Sequence, residues 1–273
     1  MKEIAETDEK YYNRDIALEI LQSLNQDGNA LKFNENDLKK EIVLLVKSIK
    51  HSQNCVAGRE IIRHGTQLHL GSWIRPVTNH DNGAVNTYEM LYENGYIPEF
   101  LDLIEIEVDG NANNPTQPEN WLLCNDKKWK KTGKIDRQAV FNYFIEDPPN
   151  LWLGNFCQSD RIDTSGYLDK GFSSSICIIR PVFFTMEIFT TFNEFSGREQ
   201  KRRRGKFAYN GVNYNLAITD PDIDRKYFRP FPGINDGVKQ INLNPEKCIL
   251  CISLAPEFNG YNYKLIAKVI EDE

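Results

Sequence analysis

The chain has 273 residues, of which 40% are hydrophobic and 26% charged, with a net charge of −6. That length and balance supply enough apolar side chain for one large core or two ordinary ones and exclude wholesale disorder. No run approaches the ~18 consecutive apolar residues of a membrane helix, and the charged first fifteen residues lack a signal peptide's apolar core, so no membrane partner and a cytoplasmic location are expected.

In chain order, Ile16, Ile20, Leu21 and Leu24 recur at helical spacing and Gly28 supplies a stop. This predicts an amphipathic helix over residues 12–24 within an acidic extension, residues 1–40. From Ile42 the pattern turns to short β-like runs, at 42–49, 55–61, 72–77, 101–108 and 121–124. The fourth alternates most clearly, with Ile104, Ile106 and Val108 on one face and Glu105 and Glu107 on the other. These runs define a first unit over residues 41–125. A basic linker and short helix follow at 126–150, with Asp136 as N-cap, Val140, Phe141 and Phe144 as the apolar face and Pro148-Pro149 as the stop. The region from Pro115 to Lys134 reads as the joint between separately folding halves. The second unit, residues 151–273, has strands predicted at 174–182, 183–192, 206–210, 212–219, 248–254 and 263–270. Asn210-Gly211 between alternating runs is the strongest hairpin signal in the chain. Ile74-Arg75-Pro76-Val77 recurs as Ile179-Arg180-Pro181-Val182, each closing a candidate strand, which favours two copies of one small barrel-like unit.

The six cysteines, Cys55, Cys124, Cys157, Cys177, Cys248 and Cys251, read as reduced structural thiols. Cys248 and Cys251 form a C-x-x-C, but inside an apolar run and without a second ligand pair. His51, His64, His69 and His80 fall in one thirty-residue window with no metal-binding spacing, and Asp220, Asp222 and Asp224 lack the glycine and closing glutamate of a calcium loop. A capped turn is expected there instead. No nucleophile elbow or phosphate loop is present. No catalytic residue, metal or cofactor is therefore assigned, and the sequence supports binding better than catalysis.

The positive charge is concentrated. Lys127, Lys128, Lys130, Lys131 and Lys134 surround Trp129, and residues 198–206 carry Arg198, Lys201, Arg202, Arg203, Arg204 and Lys206 against Glu199 alone. The remainder is strongly acidic, so the clusters have the form of a polyanion footprint. The arginine run lies between predicted strands and is expected to be a hairpin loop that reaches phosphates. The lysines read as either solvated surface or contact residues, with Trp129, Lys130 and Lys131 placed to stack and neutralise. Tyr209 and Tyr214 flank the Asn-Gly turn as sheet packing or stacking groups. Arg59, Arg75 and Arg180 sit in or beside apolar strands, where each guanidinium must either pair with an internal carboxylate or face an anion pocket.

Several spaced motifs resemble the dual OB-containing domain family. They are Asn54-Cys55-Val56-Ala57-Gly58-Arg59-Glu60 followed by Trp73-Ile74-Arg75-Pro76-Val77; Gln117-Pro118-Glu119-Asn120-Trp121; Pro148-Pro149-Asn150-Leu151-Trp152; Ile218-Thr219-Asp220-Pro221; and Leu265-Ile266-Ala267-Lys268-Val269-Ile270. The resemblance runs from about Glu41 to the C-terminus and implies a mainly β chain of two tandem OB-like barrels. It also implies a role in bacterial conflict and antiviral systems, with recognition of nucleic acid, DNA or RNA, or of a nucleotide as the expected role. An OB fold holds single strands in a basic groove with aromatic stacking faces, and this chain offers both kinds of group. Two other readings stand beside this one: a scaffold that holds an effector protein through the N-terminal helix, and a small-nucleotide receptor or enzyme built on the strand arginines.

Overall fold

The computed structural model describes residues 38–272 except 51–52, 66, 81–82, 154–159, 195–196 and 229–236. The helix expected at 12–24, His51 and Cys157 lie outside the described residues. Leu38–Glu273 forms one compact unit.

The first sheet contains β1 (Lys39–Lys50), β2 (Gln53–His64), β3 (Gln67–Val77), β4 (Asp102–Asn111), β5 (Asn120–Leu123) and β6 (Lys130–Lys134). β1, β2 and β3 form an antiparallel meander, β3 pairs β5 in parallel, β5 pairs β4, and β4 returns to β1. The result is a closed five-stranded barrel. Its interior is filled by alternate residues such as Ile42, Leu44, Val56, Ile74, Ile104, Ile106 and Val108. Gly58 allows β1 to bend past β2: a Cβ there would lie 2.1 Å from the Val43 carbonyl oxygen.

After β6 comes α1 (Arg137–Tyr143), N-capped by Asp136 as the sequence predicts. The second half adds β7 (Arg161–Asp163), α2 (Thr164–Lys170), β8 (Ile176–Ile179), β9 (Phe183–Asn193), β10 (Arg198–Tyr209), β11 (Val212–Ile218), β12 (Lys239–Leu243), β13 (Cys248–Leu254) and β14 (Tyr261–Glu271). The path β9-β10-β11-β14-β13 repeats β1-β2-β3-β5-β4, including the parallel third-to-fifth pairing, here β11 with β14. This second unit does not close on itself, because β12 takes the free edge of β9 and β8 that of β13. The Asn210-Gly211 turn joins β10 to β11 directly, with Tyr209 opposite Val212 and both turn residues at positive φ.

Three expectations are corrected. The lysine-rich stretch is not a linker, since β6 pairs with β4 along the edge that β5 leaves vacant. The arginine run is not a loop but most of β10, paired with β9 from Arg198 onward and with β11 as well from Arg204. The four-residue repeat is not a structural repeat: Ile74–Val77 belongs to the third strand of its unit, whereas its copy runs out of β8 ahead of β9, the first strand of the second unit.

The two units share a core. Val43, Leu45, Ala57 and Trp73 on the outside of the first barrel pack against Ile176, Ile178, Ile249, Cys251 and Ala267 of the second, with Val140, Phe141 and Phe144 of α1 wedged between them. β13 is thus buried on both faces, which explains its unbroken apolar run. Cys248 faces the second unit's interior and Cys251 faces this seam, so the two thiols point to opposite sides of the strand.

Candidate nucleic-acid interface

The seam decides which faces remain available. In an OB fold, ligands lie across the second and third strands and the adjoining loops. On the first barrel those strands are β2 and β3, and their outer residues Ala57 and Trp73 are buried in the seam. In the second unit the corresponding strands are β10 and β11, whose outer face is uncovered.

Strand alternation sorts the cationic run. Arg202, Arg204 and Lys206 share the outer face with Thr185, Glu187 and Phe189 of β9, their cross-strand partners or neighbours, and with Asn215 of β11. Gln240 and Asn242 extend this face onto β12. Lys201 and Arg203 alternate to the opposite side. Two open depressions of about 670 and 570 Å³ lie on the outer face and share Glu187, Lys206 and Asn215. Arg202 is exposed and its Nε donates to Thr191 Oγ1 at 3.3 Å. Arg204 Nε donates to Asn215 Oδ1 at 2.9 Å, and its guanidinium lies 3.8 Å from Asp160. Burial, and the like charge of Arg202, hold the Arg204 pKa below its ordinary value despite Asp160. Lys206 pairs with Glu187 at 2.8 Å, and the same carboxylate accepts from Gln240 at 2.6 Å. Phe183 stands 43% exposed at one end of β9 and Phe192 65% at the other.

The remaining sequence candidates go elsewhere. Arg203 is tied to Asp224. Trp129 is 1% exposed within the first barrel's core, so it cannot stack a base without unfolding that barrel, and the stacking role read from its lysine neighbours is withdrawn. Lys131 neutralises the buried Asp102 at 2.6 Å, while Lys130 is exposed on β6. Tyr209 and Tyr214 are buried in the second core, where the Tyr214 ring stacks on Phe207 with centroids 5.0 Å apart.

The strand arginines have internal partners. Arg59 meets Glu146 at 2.8 Å, and Glu146 also accepts from Trp73 Nε1 and from the Ile178 backbone. Burial raises the Glu146 pKa against the pull of Arg59. Arg75 meets Glu119 at 2.8 Å, both almost fully buried, and donates to Ser175 and Ser253 across the seam. Arg180 donates to the Phe141 carbonyl at 3.0 Å.

The motifs that carry the family resemblance mostly build this seam. Gln117 Nε2 donates to the Leu254 carbonyl at 3.1 Å, Glu119 accepts from the Ser175 backbone at 3.0 Å, and Asp220 accepts from Lys268 at 3.2 Å and from the Val269 backbone at 3.0 Å. Sequence reasoning missed the outer-face residues Phe183, Phe189, Asn215, Gln240 and Asn242. The signal was present in β9, where Phe183, Thr185, Glu187, Phe189 and Thr191 alternate with the apolar residues Phe184, Met186 and Ile188.

No curated protein matches the chain. A solved structure described as a replication protein A heterotrimer bound to single-stranded DNA is similar at 9% identity, with a TM-score of 0.36. That match covers 90% of this chain but only 51% of the other, so this chain spans about half its length, and at that score the likeness carries no argument. A family model described as a dual OB-containing domain matches residues 40–269. The two sheets with their common strand path agree with that description, and the chain belongs to the dual OB-containing domain family.

Proposed function

We propose that the protein binds single-stranded nucleic acid across the outer face of β9, β10, β11 and β12. One observation carries this reading: of the two OB-type ligand faces, the first unit's is packed into the seam, and the second unit's is open and holds three of the clustered cations. Arg202, Arg204 and Lys206 would follow the phosphates, Phe183 and Phe189 would offer stacking surfaces, and the amides of Asn215, Gln240 and Asn242 would meet base edges or sugars. With carboxylates beside Arg204 and Lys206, Arg202 is the first phosphate contact and the other two must exchange partners on binding. The finer assignment, a cytoplasmic sensor component of an antiviral defence system, rests on the family's associations; the alternative, a scaffold that holds an effector protein through the N-terminal segment, rests on that acidic extension and not on the family. Among the described residues no helix is long and apolar enough to cross a membrane.

The test is fluorescence anisotropy with single- and double-stranded DNA and RNA over a range of salt. Each phosphate contact adds ~0.7 to the single-strand slope of log affinity against log salt, so the triple variant Arg202→Ala, Arg204→Ala, Lys206→Ala should flatten that slope by about two. Phe189→Ala should weaken binding by ~1–3 kcal/mol if a base stacks there. An intact protein that binds no single strand at low salt would overturn the proposal.

A further inference from the structure

A second cationic site lies away from β10. A cavity of about 530 Å³ opens where the first barrel meets the second unit, and both units contribute to its walls. Five cations line it: Lys47 from β1, Lys134 from β6, Arg137 from α1, Arg225 from the turn after β11, and Lys268 from β14. Two carboxylates, Glu99 and Asp222, share that wall, and the buried Asp220 meets Lys268 at 3.2 Å. The acids are already engaged. Asp222 alone serves both Lys268 and Arg225, and Glu99 lies 3.4 Å from Lys134. Arg137 donates to the Glu271 carbonyl and stands over the Phe100 ring. Lys47 reaches the Pro98 carbonyl at 3.4 Å and, among the described residues, no carboxylate within ion-pair distance. Burial, chiefly, depresses its ammonium pKa, and Arg225 and Lys268 act the same way against Asp222 and Glu99.

We propose that this cavity binds a small, multiply charged phosphate compound of the oligophosphate or nucleoside polyphosphate class. Lys134, Arg225 and Lys268 share Glu99, Asp222 and Asp220, but half-buried Lys47 meets no carboxylate among the described residues, so the cavity carries a positive charge that an anion would offset. Two guanidiniums among the five favour phosphate oxygens, which they meet with paired donors. The volume exceeds what one phosphate needs and falls in the range of small-molecule sites, roughly 300–1,000 Å³. Ile97, 43% exposed, and Pro98 supply an apolar wall for the organic part of such a ligand. Because residues of both units converge on the anion, binding would clamp them together. The cations used here are separate from those of β10, and the inference does not depend on nucleic-acid binding.

The experiment is calorimetry and thermal denaturation of the full chain with inorganic tripolyphosphate at about 0.15 M salt, where exposed charges are screened beyond ~8 Å. Saturable binding and a raised Tm are expected. Lys47→Met and, separately, the more exposed Arg225→Gln should each lower affinity at least tenfold, about 1.4 kcal/mol. Lys47→Met should also raise the Tm of the ligand-free protein, because it removes a half-buried charge that burial disfavours and that no carboxylate pairs directly among the described residues; a variant that merely failed to fold would lower it. The triple β10 variant should bind tripolyphosphate as the parent does. Absence of saturable binding would overturn the proposal, as would binding that survives both cavity variants. Loss of binding in the β10 variant would instead reassign the anion to the sheet face, and competition by a 5′-phosphorylated oligonucleotide through the cavity residues would identify a strand end as the source of the phosphate.

Discussion

Glu119 is the residue whose replacement should say most about how the two OB units hold together. Its side chain is 1% exposed and that of Arg75 6%, with 2.8 Å between the charges. The remaining capacity of Glu119 is taken by the backbone and hydroxyl of Ser175, which belongs to the second unit. Glu119→Gln keeps the shape but strands the Arg75 guanidinium in the seam. Removing one partner of a buried pair costs about 3–5 kcal/mol, against ~1 or less for an exposed pair. The double variant Arg75→Met, Glu119→Gln should recover much of that loss, because no unpaired charge stays buried. Urea denaturation followed by tryptophan fluorescence measures both, and a single transition is expected throughout. Exposing four aliphatic or aromatic side chains of the shared core would cost roughly 6–12 kcal/mol at 1.5–3 each, comparable to the whole ~5–15 kcal/mol stability of a typical domain. Limited proteolysis should accordingly leave one resistant body rather than two fragments parted near residues 126–136. A Glu119→Gln loss below ~1 kcal/mol, or two separate unfolding transitions, would refute this account of the seam.

Trp129→Ala should destabilise the protein by about 3–5 kcal/mol, as for large aromatic side chains in packed cores, while leaving single-strand affinity of the folded fraction unchanged; a selective loss of binding would instead show that Trp129 stacks a base. Burial would raise the Asp222 carboxyl, but the hydrogen bond and charge of Lys268, with Arg225, outweigh it and hold the group below the ordinary aspartate value. A depressed folded pKa contributes stability above the unfolded value of ~3.9 that is lost as pH falls through the folded value. Asp222→Asn should therefore lower Tm near neutrality and reduce its fall under acid. A Tm–pH curve parallel to the parent's would contradict that assignment.

The local signals in the sequence reached most of the strands. Alternation in residues 101–108, the Asn210-Gly211 turn and the Asp136 cap each rest on contacts within a few residues, so a one-dimensional pattern is enough to find them. They failed where the local pattern was masked. Six cations in nine residues hide the period of β10, and α2 escaped notice although Asp163 caps its start and Gly171, at φ 63°, its end. Placement across the fold was beyond such patterns. Arg75 and Ser253 meet across 178 positions of chain, and Trp129 is enclosed because β5 and β6 occupy successive stretches of one β4 edge. The sequence by itself determined the residue inventory: two β-rich units, concentrated positive charge in an acidic chain, and polar residues embedded in apolar strands. Only the tertiary structure decided which OB face is free, because that depends on how two sheets bury their apolar sides against each other. It also decided which cations share a surface, since strand pleat divides neighbours in sequence while the seam gathers Lys47, Arg137, Arg225 and Lys268 around one cavity.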